Sequence, residues 1–188
     1  MRVMGIDPGL TRCGIGIIEG QPGNKGRLIA VGVIRTSADD ETPQRLRKLD
    51  DELDHYLDTY RPDAVAVERV FSQHNLASVI PTAQAAGIAL VHGAKRDLPT
   101  HSYTPSEAKA AVCGNGGADK RQVTTMVTRI LRLESPPKPA DAADALALAL
   151  CHLWRGALKS RLNQAGRQQV EAKRKAALER YRNQRSSR

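Results

Sequence analysis

At 188 residues the chain has room for one domain with a sizeable core, and two full domains would be cramped. No apolar run approaches the roughly 18 residues of a membrane span and no signal-peptide pattern appears, so a cytoplasmic protein without membrane attachment is expected. Three scattered cysteines, Cys13, Cys113 and Cys151, exclude a disulfide framework and a C-x-x-C zinc site, and the net charge of +9 resembles a nucleic-acid signature until it is located. Met1 to Trp154 balances 18 basic against 18 acidic residues, whereas Arg155 to Arg188 holds 11 basic residues against Glu171 and Glu179. The whole excess therefore lies in the tail.

The chain opens with Val3-Met4-Gly5-Ile6-Asp7, turns at Pro8-Gly9 and leaves through an isoleucine-rich run, the pattern of two hairpin strands. Asp7 stands at a strand end, held by a stiff sheet yet facing a loop; as ordinary turn chemistry it needs no further role. Residues 27–35 predict a third strand. A helix follows, with Thr42 as its cap, Pro43 in its first turn, and Leu46, Leu49, Leu53, Tyr56, Leu57 and Tyr60 at helical spacing. Arg61-Pro62 ends it, and Ala64-Val65-Ala66-Val67 reads as a strand buried on both faces that delivers Glu68 at its end.

Residues 78–95, rich in alanine and glycine, predict a close-packing helix that Pro81 starts or kinks. Residues 98–103 predict a strand, and Thr104-Pro105-Ser106-Glu107 a capping box for a helix that carries Lys109 and stops at Gly114. Asp119 caps the next helix, in which Val123, Met126, Val127, Ile130, Leu131 and Leu133 form the buried stripe and Lys120, Arg121, Arg129 and Arg132 its margins. Beyond the stiff Ser135-Pro136-Pro137-Lys138-Pro139 comes an alanine-rich helix with Asp141 and Asp144 on one face of its opening turn. Capping explains one of these acids; Asp144, inside an apolar helix, calls for compensation. The tail has almost no apolar stripe and reads as a flexible or partly helical basic arm, either solvated or in accessory contact with DNA.

Asp7, Glu68, Asp141 and Asp144 thus arise at two strand ends and one helix start, places that a mixed sheet with a flanking helix can bring together. Such a cluster must take up protons or cations to persist. Hard divalent ions want oxygen ligands, and a pair roughly 4 Å apart can activate water and stabilise the leaving oxygen of a phosphodiester. No histidine pair, cysteine nucleophile or Ser-His-Asp pattern competes for a different hydrolytic mechanism.

Gly5-Ile6-Asp7-Pro8-Gly9, Val67-Glu68-Arg69-Val70-Phe71, Gly117-Ala118-Asp119-Lys120 and Ala140-Asp141-Ala142-Ala143-Asp144-Ala145-Leu146-Ala147 resemble, in order and spacing, the blocks of the RuvC family of bacterial Holliday-junction resolvases. The likeness spans about Met1 to Leu153. It implies an α/β ribonuclease H-like fold, a central mixed five-stranded sheet flanked by helices, occupying residues 1–158 ahead of the tail at 159–188. It implies a crossover junction endodeoxyribonuclease: a homodimer that nicks four-way DNA junctions symmetrically in recombination and repair, with the branch-migration proteins RuvA and RuvB as partners. Carried over, Asp7, Glu68, Asp141 and Asp144 would be catalytic metal ligands for two Mg²⁺ ions, which Mn²⁺ could replace. Lys109 and Lys120 would be catalytic cations near the reacting phosphate, and these two with Arg121 would bind DNA. Phe71 would stack on an unpaired junction base, although a core contact is the commoner fate of a phenylalanine. Three other readings exist: a nuclease of the same fold acting on structured RNA, a non-catalytic junction-binding module, and an actin-like ATPase or sugar kinase, suggested by Asp7-x-Gly9-x-Thr11-x-x-Gly14. The last needs two such domains and a second phosphate loop, for which the chain has neither room nor motif.

Overall fold

The computed structural model describes residues 1–70 and 76–156, with residues 76–78 described by backbone alone. Five strands form one mixed sheet. β1 (Arg2–Asp7), β2 (Arg12–Glu19) and β3 (Arg27–Arg35) are an antiparallel meander; β4 (Ala64–Glu68) runs parallel to β1 and β5 (Thr100–Tyr103) parallel to β4, giving the order β3-β2-β1-β4-β5. The helices are α1 (Thr42–Tyr60), α2 (Leu76–Lys95), α3 (Pro105–Cys113), α4 (Lys120–Ile130) and α5, helical over residues 140–156. The expected basic tail, residues 159–188, lies outside the described residues.

Side chains of a strand alternate between faces, and the two faces of this sheet carry separate cores. Met4, Ile6, Ile15, Ile17, Val65 and Val67 point to one side, where α1 covers them with Leu49, Leu53 and Leu57 and α2 with Ala85, Ala86 and Ala89. Each of those leucines is almost wholly buried, which is worth roughly 1.5–3 kcal/mol apiece. Val3, Ile18, Ala66 and Tyr103 point to the other side and pack against Ala108 and Val112 of α3, Val123 and Val127 of α4 and the run from Leu146 to Leu153 of α5. The alanine-rich α5 is buried almost all round because it lies between the sheet and the α3–α4 pair.

Local chemistry sets most helix ends where the sequence places them. Thr104 and Asp119 both complete capping boxes: the Glu107 amide donates to Thr104 Oγ1 at 3.0 Å and the Gln122 amide to Asp119 Oδ1 at 2.8 Å, with the reciprocal bonds also made. Gly114 closes α3 in the left-handed conformation that a glycine adopts without strain. Three boundaries differ from expectation. Thr42 is the first residue of α1 rather than its cap; Glu41 holds that position without a side-chain hydrogen bond, because Pro43 needs no donor anywhere in the first turn and the helix can begin one residue early. Pro81 does not start α2 but sits sixth in it, where its missing amide removes a single bond near the helix start. The strand expected from Leu98 begins only at Thr100, because the Leu98 amide donates back to Gly93 O at 3.0 Å and finishes the helical turn instead.

Candidate active site

Asp7 ends β1 and Glu68 ends β4, neighbouring parallel strands whose register sets Ile6 beside Val67, so the next positions place the two carboxylates side by side. By alternation Asp7 shares a face with Val3, and Glu68 with Ala66, the face that α5 covers. What lets α5 approach is a bare strip on that face. A Cβ at Gly5, Gly14 or Gly16 would collide with the backbone of Ala145, Asp141 or Leu146 respectively. The sheet therefore admits α5 at backbone contact distance only along these three glycines, and this brings the opening turn of α5, with Asp141 and Asp144, against the end of β1.

Asp7, Glu68 and Asp144 line one cleft of about 210 Å³, together with Lys109 of α3 and Lys120 at the start of α4; Pro105, Ala108, Val123 and Ala147 complete its walls. Lys120 Nζ stands 3.7 Å from Asp144 Oδ2. Burial first, and then repulsion by Glu68, Asp144 and Asp141, pushes Asp7 up to about 8 from an ordinary 3.8. Glu68 is raised to about 7 by burial and by Asp144, against the opposing pull of Lys120 and Lys109. Burial also raises Asp144, which Lys120 counteracts. Burial and mutual repulsion thus both favour the protonated forms of these carboxylates, and the nearby lysine cations oppose this only in part.

Asp141 takes a different course. One turn before Asp144, it points its Oδ2 to Arg12 Nε at 3.0 Å and lines an adjoining hollow of about 410 Å³ with Arg12, Arg45 and the Pro8–Thr11 turn, while Asp7 borders both spaces. Among the described residues, no three acidic, histidine or cysteine side chains are drawn together tightly enough to hold an ion. The structure thus gathers Asp7, Glu68, Asp144, Lys109 and Lys120 at one cleft and directs Asp141 to a neighbouring arginine. An all-oxygen donor set with raised proton affinity nevertheless suits a hard divalent cation better than any soft metal.

Arg121 lies apart from the cleft, exposed at a separate hollow with Cys113, Asn115 and Met126. Phe71 lies outside the described residues. The cysteines are free, Cys13 and Cys151 buried as small apolar residues. Sequence reasoning missed the two arginines beside Asp141. Arg45 of α1 donates from Nη2 to Thr11 Oγ1 at 2.7 Å and from Nε to Thr36 Oγ1 at 2.9 Å, tying that helix to the β1–β2 turn. It also missed Tyr103 Oη at 2.9 Å from His152 Nδ1, a buried polar pair joining β5 to α5. Neither has a local signal, since each joins residues far apart in the chain; Arg12, beside the turn after Asp7, was the one within reach of a sequence argument.

The comparisons with known proteins agree with this fold. The family model described as crossover junction endodeoxyribonuclease RuvC matches residues 3–152. A protein of that name from Salinispora arenicola is 62% identical over 162 residues, 86% of this chain and 93% of its own length. One from Thermobifida fusca is 59% identical over 165 residues, covering 88% and 91%. Among solved structures, Thermus thermophilus RuvC in complex with Holliday junction substrate superposes with a TM-score of 0.79 at 34% identity, over 85% of this chain and 96% of that one. A yeast mitochondrial Holliday junction resolvase, at 15% identity and a TM-score of 0.59, shares the fold. With the family match running from the first strand into α5, over most of the chain, and with Asp7, Glu68 and Asp144 of its acid blocks lining one cleft, the chain belongs to the RuvC family of crossover junction endodeoxyribonucleases.

Proposed function

We propose that the protein resolves four-way DNA junctions in the cytoplasm by metal-dependent hydrolysis of one phosphodiester per subunit, with Asp7, Glu68, Asp141 and Asp144 as ion ligands. The observation that carries this reading is the cleft in which Asp7, Glu68 and Asp144 meet Lys109 and Lys120. Two Mg²⁺ ions, or Mn²⁺ in their place, would supply an activated water and charge stabilisation at the leaving oxygen. The chain's own groups do the rest. Asp7, on the central strand, gives a ligand that cannot drift, because β1 is hydrogen-bonded on both sides. Lys120 and Lys109 bring positive charge to the side of the cleft opposite the sheet, where a strained phosphate gathers negative charge. Val123 and Ala108 give that side an apolar wall, which would lower the local dielectric and strengthen each of these interactions. Phe71, three residues beyond Glu68, and Arg121 are assigned to junction contact, and RuvA and RuvB are the partners that family membership suggests.

A junction offers two equivalent strands, so two copies related by a two-fold axis suit the task. The outer face of α2 supports such pairing. Ile80 is 59% exposed, Val91 49% and Leu90 40%, an apolar stripe flanked by the small residues Ala83, Gly87 and Ala94.

The test is Asp7→Asn on a synthetic four-way junction in Mg²⁺. Junction binding is expected to persist while cleavage falls at least about 10³-fold, the scale on which a principal catalytic group acts. Undiminished cleavage removes Asp7 from the mechanism, and a preference for structured RNA over the DNA junction replaces the substrate.

A further inference from the structure

Asp141 and Asp144 sit three residues apart on one helix, yet their side chains line different spaces. Asp144 faces the cleft beside Lys120, whereas Asp141 is turned into the adjoining hollow by Arg12, at 3.0 Å. We propose that Arg12 exchanges partners: it holds Asp141 aside in the ion-free chain, and on loading it gives Asp141 to the cation and turns to a DNA phosphate next to the one being cut. Arg12 would thus be a positioning residue for the proposed ion site and a contact for the substrate strand. The inference rests on Asp141 being an ion ligand.

Three features of the structure point this way. The Arg12 side chain is 57% exposed while Asp141 is 17% exposed, so the guanidinium has room to swing outward while the carboxylate stays within the hollow that adjoins the cleft. An ion pair with one partner in solvent is weak, and a divalent cation among several carboxylates outcompetes it. Asp7 borders both spaces, so a rotation of Asp141 about its own side-chain bonds, without movement of α5, is the required travel.

The freed guanidinium then has an obvious partner. The hollow continues the cleft past Asp7 and is lined by Arg12, Arg45 and Thr11, with the loop backbone of Pro8 to Leu10 between them. Arg45 is fixed by Thr11 and Thr36 and so braces the wall rather than moving. A strand whose scissile phosphate lies at Asp7 can carry its next phosphate into the hollow that shares Asp7 with the cleft. In this direction it meets a planar donor suited to phosphate oxygens.

The exchange is tested in the full chain with Arg12→Gln, Arg12→Lys and Asp141→Asn, alone and with Arg12→Gln combined with Asp141→Asn. Ion affinity is read directly by paramagnetic titration with Mn²⁺ in the absence of DNA, and junction affinity is read against salt concentration in Ca²⁺. Arg12→Gln is expected to tighten Mn²⁺ binding about two- to fivefold, the range of an exposed ion pair released. The gain should vanish when Asp141→Asn is already present. The same substitution should lower the slope of log affinity against log salt by about one, and Arg12→Lys should restore it. Mn²⁺ affinity unchanged or weakened by Arg12→Gln, or an unchanged slope, overturns the exchange. Mn²⁺ affinity untouched by Asp141→Asn instead refutes the ligand assignment beneath it, so the two failures are told apart.

Discussion

At the scale of single residues the molecule holds a carboxylate where folding alone would not put one. Asp7 binds its proton far more tightly in the folded chain, at about 8, than the ordinary 3.8 of an unfolded aspartate. A raised acid is harmless below the unfolded value, where both states are protonated, and destabilises progressively as pH rises through the folded value. Without divalent ions, the melting temperature should therefore fall between about pH 4 and pH 9 more steeply for the parent than for Asp7→Asn. At about pH 9 the substituted protein should be more stable by roughly 1–3 kcal/mol, the scale of a functional group held against stability. Calorimetry in chelator checks this, and Mg²⁺ should reverse the order. If Asp7→Asn melts lower than the parent throughout, the account of burial and repulsion at this carboxylate fails. Lys120 answers to a different measurement. Its ammonium is 3.7 Å from Asp144 and mostly exposed, so Lys120→Ala should leave folding intact and lower single-turnover cleavage about 10- to 10³-fold. An unaltered rate would confine Lys120 to pairing with Asp144.

At the scale of elements, the position of the acids depends on residues that carry no chemistry. Asp7 and Glu68 could be read from the sequence because each ends a short apolar run, and period-two alternation fixes which face such a residue takes. The convergence of α5 upon them could not be read in the same way. It depends on Gly5, Gly14 and Gly16 standing in register on one face of β1 and β2, a cross-strand fact with no local signature. The i, i+3 spacing of Asp141 and Asp144 likewise gave the shared helix face but not the divergence of their side chains, which Arg12 imposes from another element. Caps at Thr104 and Asp119 were legible because their partners lie three residues away. Gly16→Ala tests the strip. The added methyl meets the α5 backbone at Leu146, and overpacking of this kind costs roughly 1–3 kcal/mol. Because relief comes by lifting α5 from the sheet, Mn²⁺ affinity should drop along with stability, while Gly87→Ala, at an open position of α2 on the other side of the sheet, should leave Mn²⁺ affinity unchanged. Ion binding that survives Gly16→Ala undiminished would mean that α5 need not lie so close.

At the scale of the whole molecule, the sheet separates two kinds of surface. The acids of residues 37–63 cluster on and around α1, on one side, and Lys109, Lys120, Arg121, Arg129 and Arg132 ride on or just beyond α3 and α4, on the other. The neutral average of this part of the chain therefore conceals a polarity that suits a DNA backbone approaching the α3–α4 side. The α1 side is closed to anions but tightly built. Arg96, just past the end of α2, reaches Asp54 and Asp58 of α1 at 2.7 Å each, and the buried His92 of α2 lies 2.7 Å from Asp50. These contacts fix α2 to α1 and leave its apolar outer face turned away from the core, with Ile80, Leu90 and Val91 exposed. An exposed stripe on so firmly anchored a helix is poorly explained by a monomer, since nothing prevents those positions from being polar. Val91→Glu should therefore shift the sedimenting species from two copies to one and weaken junction binding by at least about tenfold, as paired engagement is lost. Mn²⁺ affinity should be untouched, because the cleft lies on the opposite face of the sheet. A protein that remains dimeric after Val91→Glu would place the two-fold axis elsewhere, and one that was never dimeric would have none; either outcome leaves this stripe without a role in resolution.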